Sequence, residues 1–215
     1  MVLVGGGAIA PGDLDLALAL GPTAAAADGG AMALLEHGVI PKAVIGDLDS
    51  LPRDVAARIP AGRIHHVPEQ DSTDLQKCLA RIDAPFVIGI GFLGARFDHS
   101  LAACHAIAMH DRPCLLLGSD DVVFHAAGAL SLDLARGTRV SVFPMRPVTA
   151  RSRGLEWPLD GIEFSPGERI GTSNMANGPV RIEPDGAGLL VLLPRSEIDA
   201  ALAGLMARSD EPGQS

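Results

Sequence analysis

The chain has 215 residues, 47% of them hydrophobic, and a formal net charge of −9. That hydrophobic share suits one or two globular domains and excludes a disordered chain. The acidic balance argues against DNA or RNA as a partner, since phosphate backbones require a basic face, but not against one nucleotide whose charge a few Arg, Lys or metal ions offset.

In chain order, residues 1–4, 24–27, 43–45, 64–67, 86–90 and 114–117 read as short buried strands. Helical patterns lie between them at 13–20, 31–37, 52–59, 74–82 and 99–109. This alternation implies a parallel sheet covered by helices on both faces, with ligands at the carboxyl ends of its strands. Beyond Gly118 the helical period gives way to short β-like runs at 122–125, 130–134, 139–143, 154–157, 180–182 and 189–193. Gly and Pro separate them, as in a small antiparallel sandwich or barrel. A last helix is expected at 197–207 with Ser196 as its N-cap, and the tail 209–215 is expected to be disordered. Cys78, Cys104 and Cys114 form an odd set without CxxC spacing, which argues against a disulfide framework or structural zinc. They read as small buried hydrophobes in a reducing compartment. Residues 1–10 lack a signal-peptide pattern, and no run approaches the roughly 20 apolar residues that span a bilayer. A cytoplasmic location with no membrane partner is the expectation.

Gly46-Asp47-Leu48-Asp49-Ser50 follows a predicted strand. In extended chain, residues i and i+2 face the same way, so Asp47 and Asp49 would converge while Leu48 points into the core. Converging carboxylates repel unless a cation neutralises them, and Mg²⁺ suits one or two carboxylates plus phosphate oxygens. The alternative is a solvated turn with two helix-capping acids. In Asp71-Ser72-Thr73-Asp74-Leu75-Gln76-Lys77, Thr73 and Gln76 have capping-box spacing, and Asp74 sits in the first helical turn. Lys77 could reach a phosphate, although an exposed helix lysine is the default. Gly94-Ala95-Arg96-Phe97-Asp98-His99 offers permissive glycine backbone and a guanidinium fork for phosphate. Asp98 could simply cap the next helix. His99 reads first as a structural residue, with nucleotide contact kept open.

Gly5-Gly6-Gly7 could receive phosphate or adenine but does not match GxGxxG. Asp28-Gly29-Gly30-Ala31 adds a carboxylate and a permissive turn. Taken together, consecutive strand–helix junctions carry Gly, Asp or Arg on one predicted edge, which turn chemistry alone does not explain. In the second half Trp157 is the only Trp. Such a residue is usually core, but a flat ring can also stack on a heterocycle. Gly171-Thr172-Ser173-Asn174 by itself is only a turn.

These motifs, in order and spacing, resemble the thiamine pyrophosphokinase (thiamin diphosphokinase) family. The matching stretches are Ala27-Asp28-Gly29-Gly30-Ala31, Gly46-Asp47-Leu48-Asp49-Ser50, Asp71-Ser72-Thr73-Asp74, Gly94-Ala95-Arg96-Phe97-Asp98-His99, Gly154-Leu155-Glu156-Trp157-Pro158-Leu159 and Thr172-Ser173-Asn174. The resemblance implies an α/β fold: an N-terminal parallel-sheet, Rossmann-like three-layer domain over 1–118, and a C-terminal antiparallel β-sandwich or barrel over 119–208. It also implies a homodimer in which both subunits contribute to each active site. Asp47, Asp49 and Asp74 match the acids that handle Mg²⁺ and ATP phosphates. Asp28, Gly29, Gln70, Asp71, Thr73, Lys77, Arg96, Asp98 and, less directly, His99 match positions at or near the nucleotide and pyrophosphate. Trp157, Ser173 and Asn174 match the thiamine-binding region. The sequence departs from the family's pattern at Leu48, where an aromatic is common, at Gln76, where an acid is common, and at Ala103, where Asn is common.

The implied reaction transfers the pyrophosphoryl group of ATP to thiamine, giving AMP and thiamine diphosphate. Catalysis of this kind rests on positioning and charge neutralisation. The competing readings are a diphosphokinase acting on a hydroxymethyl-pterin and a non-catalytic nucleotide or thiamine sensor.

Overall fold

The computed structural model describes residues 1–94 and 96–209. The chain divides into two compact units, Met1–Ala106 with Leu116–Ser119, and Ile107–Leu115 with the chain from Asp120 onward.

From its start the chain alternates strands and helices: β1 (Val2–Val4), α1 (Asp13–Leu20), β2 (Ala24–Ala27), α2 (Gly30–Glu36), β3 (Val44–Gly46), α3 (Arg53–Ala56), β4 (Ile64–His66), α4 (Asp74–Leu79), β5 (Val87–Ile90), α5 (Phe97–Ala108) and β6 (Cys114–Leu117), all in the first unit except the last two residues of α5 and the first two of β6. The sheet order is β5-β1-β2-β3-β4, and the pairs β1–β5, β1–β2, β2–β3 and β3–β4 are all parallel. Buried on both faces, β1 and β2 are uniformly apolar, as central parallel strands require. A Cβ at Gly30, the first residue of α2, would lie 2.0 Å from the Val4 carbonyl oxygen, so only glycine fits there. Because these strands run in one direction, the loops after β1, β2, β3, β4 and β5 leave from the same edge.

The second unit holds β7 (Asp121–His125), β8 (Leu130–Leu132), β9 (Arg139–Pro144), β10 (Val148–Leu155), β11 (Glu163–Phe164), β12 (Gly171–Pro184), β13 (Leu189–Pro194) and α6 (Ile198–Ser209). Its order is β11-β10-β12-β9-β13-β7, antiparallel throughout, with β8 also paired to β12. Phe124, Leu130, Leu132, Val142, Phe164, Ile182 and Val191 form its core.

Several expectations need correction. The strand expected at 154–157 is the end of β10, and Glu156 and Trp157 form a bend. Gly154 has φ 79° at a register shift, and a Cβ there would lie 2.0 Å from the Pro179 carbonyl oxygen. This is a β-bulge, which ends the regular pairing. The short strand expected at 180–182 is the last part of the 14-residue β12, which begins in the stretch read only as a turn. The helix expected at 52–59 shrinks to the four-residue α3. Ser196 is not an N-cap: it lies in a 3₁₀ turn, Arg195–Glu197, and its hydroxyl donates to Glu197 Oε1, so α6 starts at Ile198. The expected disordered tail lies outside the described residues except for Ser209, which ends α6. Among the described residues no helix is long and apolar enough to cross a membrane.

Candidate functional site

Most of the predicted site residues fall in two polar clusters, one in each unit, and Arg96 pairs with Asp98 apart from them. In the first unit, Asp28 leaves β2 in a left-handed conformation (φ 43°) and is 3% exposed. Gly46 makes room for it, since a Cβ at Gly46 would lie 2.9 Å from Asp28 Cβ. Asp28 Oδ2 accepts from the Ser50 amide at 3.2 Å, while Oδ1 is buried without a partner. Burial pushes its carboxyl up from 3.8 to about 6, opposed by the Ser50 amide and reinforced by the charge of Asp74. Carboxylate oxygens of Asp28, Asp47 and Asp49 all lie within 4.8 Å of one another.

Asp47 and Asp49 do converge, but not through extended chain. Leu48 adopts φ 63°, a left-handed turn, and is half-buried instead of pointing into the core. The turn lets the Asp49 amide donate to Asp47 Oδ1 at 3.4 Å, and the Ser50 hydroxyl donates to Asp49 Oδ1 at 2.9 Å. Gln70 Nε2 donates to Asp47 Oδ2 at 2.9 Å, which holds that carboxyl below its ordinary range, with Lys77 adding to the effect.

Asp74 stands beside this trio. Lys77 Nζ lies 3.4 Å from Asp74 Oδ1 and 3.7 Å from Asp47 Oδ2, joining the two acids. Lys77 is 2% exposed, so the expected surface lysine is a buried cation. Thr73 caps α4 by the expected box, with its hydroxyl accepting from the Gln76 amide and the Gln76 side chain accepting from the Thr73 amide. Gln76, which departs from the family's pattern, therefore has the local task its spacing indicated. Glu69 accepts from the amides of Asp71 and Ser72 and from the Ser72 hydroxyl, fixing the loop that presents exposed Asp71. Nothing in the sequence motifs singled out Glu69; its spacing to Ser72 was the available signal.

Arg96 and Asp98 form an exposed pair, Nη2 to Oδ2 at 2.6 Å, which holds the Asp98 carboxyl below its ordinary range. The Ser100 hydroxyl accepts from the Gly94 amide at 3.1 Å and donates to the Arg96 carbonyl, tying this loop to α5. Ala95 lies outside the described residues, and His99 is exposed on α5. Gly29 is buried at the start of α2, where a Cβ would lie 3.3 Å from the Ser50 carbonyl oxygen. Gly5 and Gly7 do not offer their amides to a phosphate. Those amides donate to the carbonyls of Ile90 at 2.8 Å and Gly91 at 3.0 Å. A Cβ at Gly5 or Gly7 would lie 2.7 or 2.6 Å from the Gly91 oxygen, so their small size serves chain packing.

In the second unit, Trp157 is 57% exposed, which overturns the core reading. Asn174, 7% exposed on β12, binds its backbone on both sides: Trp157 N–H donates to Oδ1 at 3.2 Å, and Nδ2 donates to the Trp157 carbonyl at 2.7 Å. Ser173, exposed with φ 62°, sits where the β12–β9 register shifts, and its amide donates to the buried Ser141 hydroxyl at 3.0 Å. Sequence reasoning missed Ser141; a serine inside a valine-rich strand was the sign.

The family model described as thiamin pyrophosphokinase, catalytic domain, matches residues 17–115, and that of the family's vitamin B1 binding domain matches 130–186. The chain belongs to the thiamine pyrophosphokinase family. Among curated relatives, thiamine pyrophosphokinase 1 of Oryza sativa subsp. japonica is 29% identical over 67% of this chain and 63% of its own length. Thiamin pyrophosphokinase 1 of Caenorhabditis elegans is 24% identical over 62% of each. The chain thus spans less than two thirds of the length of these relatives. Thiamin pyrophosphokinase from Candida albicans superposes with a TM-score of 0.74 at 15% identity, covering 90% of this chain and 88% of that one. The Geobacillus thermodenitrificans thiamin pyrophosphokinase gives 0.70 at 24% identity, covering 93% and 100%. At these identities the structures establish a shared fold. Both family domains are therefore present, one over each polar cluster.

Proposed function

We propose that this family member is a thiamine diphosphokinase that transfers the pyrophosphoryl group of ATP to thiamine. The observation that carries this reading is the convergence of Asp28, Asp47 and Asp49, with one buried Asp28 oxygen lacking a partner. Acids so placed repel one another and call for a hard divalent cation, so the donor set fits Mg²⁺. Asp28, Asp47 and Asp49 hold the ion in this reading, and Asp74 is a further acid linked to Asp47 through Lys77. Mg²⁺ bound there supplies positive charge to the phosphate oxygens of ATP.

The chain's own groups do the rest by positioning and neutralisation. Lys77 holds Asp47 and Asp74 in place, and Gln70 orients Asp47. Arg96 turns its fork from Asp98 to phosphate oxygens as charge builds on them. Gln70, Asp71 and Thr73 on the loop before α4, Gly29 at the start of α2 and His99 in the first turn of α5 receive the nucleotide in this reading. The hydroxyl oxygen of thiamine forms a bond to the β-phosphorus and loses its proton. The bond from that phosphorus to the bridging oxygen breaks, and AMP leaves with the electron pair. Trp157 packs on the thiamine rings and Ser173 presents its hydroxyl beside them. The working protein is a cytoplasmic homodimer whose subunits share their active sites.

Release of AMP from ATP, assayed with thiamine and then with a hydroxymethyl-pterin, tests this reading against its rivals. AMP formed in equal amount to thiamine diphosphate, and only with thiamine, is expected. AMP release with the pterin instead, or with neither, overturns it. Asp47→Asn should lose most turnover with its fold intact, and near-normal turnover would contradict the metal role.

A further inference from the structure

Trp157 is mostly exposed, so packing alone does not fix its direction; the backbone that carries it must be held. Asn174 is the holder. Its Oδ1 accepts from Trp157 N–H at 3.2 Å and from Met175 N–H at 2.8 Å, while Nδ2 donates to the Trp157 carbonyl at 2.7 Å. Two amides point at one end of the carboxamide and a carbonyl at the other, so only one orientation satisfies all three bonds. The same loop is pinned further by Glu156 N–H on the Met175 carbonyl at 2.8 Å, Asn177 on Glu156 at 2.7 Å, and Leu159 N–H on the Ser152 hydroxyl at 2.8 Å. Leu159 is 2% exposed and anchors the far end. Between these pins Asn174 grips Trp157 itself from both sides.

The motif match alone places Asn174 among the substrate contacts. Its burial and filled hydrogen bonds assign it otherwise. Oδ1 already accepts two bonds, and one Nδ2 proton is the capacity left, on a residue 7% exposed. We infer that Asn174 is a positioning residue: it clamps the Trp157 backbone so that the exposed indole is preset for its ligand, and it does not itself bind thiamine. This rests on the reading, proposed above, that Trp157 packs on thiamine. Presetting an exposed ring removes an ordering cost that binding would otherwise carry.

Trp157 is the sole Trp, so intrinsic fluorescence reports this site alone. Asn174→Ala should lower the unliganded anisotropy of Trp157 and raise the thiamine Kd about tenfold by calorimetry, with Mg²⁺–ATP affinity and the far-ultraviolet spectrum unchanged. Asn174→Asp keeps the acceptor but sets a carboxylate oxygen against the Trp157 carbonyl in place of the donated bond, so it should shift both readouts in the same direction as Ala. If the Ala variant does not fold, the near-isosteric Asp variant tests the same point. Weaker thiamine binding with unchanged anisotropy would make Asn174 a direct ligand and overturn the inference. Lower anisotropy with unchanged thiamine Kd would reduce it to a structural clamp and overturn it equally. Trp157→Ala separates the two layers. If that variant binds thiamine normally, the reading of Trp157 itself fails. If it binds weakly while both Asn174 variants bind normally, only the positioning role of Asn174 fails.

Discussion

Lys77 Nζ lies 3.7 Å from Asp47 Oδ2 while the lysine side chain is 2% exposed. A lysine so deep in a small helix is retained only if its charge is paired, and Asp74, 3.4 Å away, is the second partner. The pair links the helix after β4 to the loop after β3, so it fixes the spacing of two acids on neighbouring loops. Lys77→Met keeps the apolar stem and removes the charge. Asp47 is 18% exposed and Asp74 40%, so water relieves part of the loss. The expected cost is about 1–3 kcal/mol, below the roughly 3–5 kcal/mol of a fully buried broken pair. Urea unfolding measures it, and turnover should fall about 100-fold because the acids lose their register. Unaltered stability and turnover would mean that Lys77 is incidental.

Asp28 sets a pH dependence. Burial raises its carboxyl from 3.8 to about 6. Between those values the folded protein holds a proton that the unfolded chain releases, so stability without a divalent ion falls as pH rises through this window and is flat above it. The span corresponds to a loss on the order of 3 kcal/mol. A bound cation reverses the preference by favouring the charged carboxylate. Thermal unfolding at pH 7.5 should therefore show a larger Mg²⁺-induced gain than at pH 5. Asp28→Asn should raise the Tm in chelator and abolish the response to Mg²⁺. An equal Mg²⁺ gain in wild type and this variant would remove Asp28 from the ion's surroundings.

Gly46 is the floor beneath Asp28. A Cβ there would lie 2.9 Å from Asp28 Cβ and 3.3 Å from its Cα, so the neighbour cannot simply swing its tip aside. Gly46→Ala should cost about 1–3 kcal/mol by overpacking, without any change of charge. It should also weaken Mg²⁺ binding, because Asp28 must move away from Asp47 and Asp49. Calorimetric titration with Mg²⁺ checks this, and native affinity would show that Asp28 is displaced in a harmless direction.

Much of the first unit was legible because parallel strands buried on both faces are short apolar runs, and the all-alanine 24–27 segment coincides with β2. The box at Thr73 and Gln76 was legible because capping uses local spacing. Local rules failed where tertiary contacts decide. The left-handed turn at Leu48, the burial of Lys77 and the partnerless oxygen of Asp28 depend on neighbours distant in sequence. The bulges at Gly154 and Ser173 break the two-residue period by which strands are read, which hid the beginning of β12. The Asn174 clamp joins residues 17 positions apart, beyond any local pattern.

Arg96 and Asp98 separate binding from stability most clearly. Their contact is short, 2.6 Å, but the side chains are 67% and 66% exposed. Water competes for both charges, so the pair contributes little to folding. Arg96→Ala should therefore leave the urea midpoint nearly unchanged. If the guanidinium turns to phosphate during the reaction, the same substitution should lower kcat/KM for ATP about 100-fold. Arg96→Lys restores the charge without the fork and should recover only part of that loss. Asp98→Asn frees Arg96 from its resting partner and should alter turnover far less than removal of the arginine. Equal losses in the Arg96→Ala and Asp98→Asn variants would instead make the pair itself, and not the free guanidinium, the functional element.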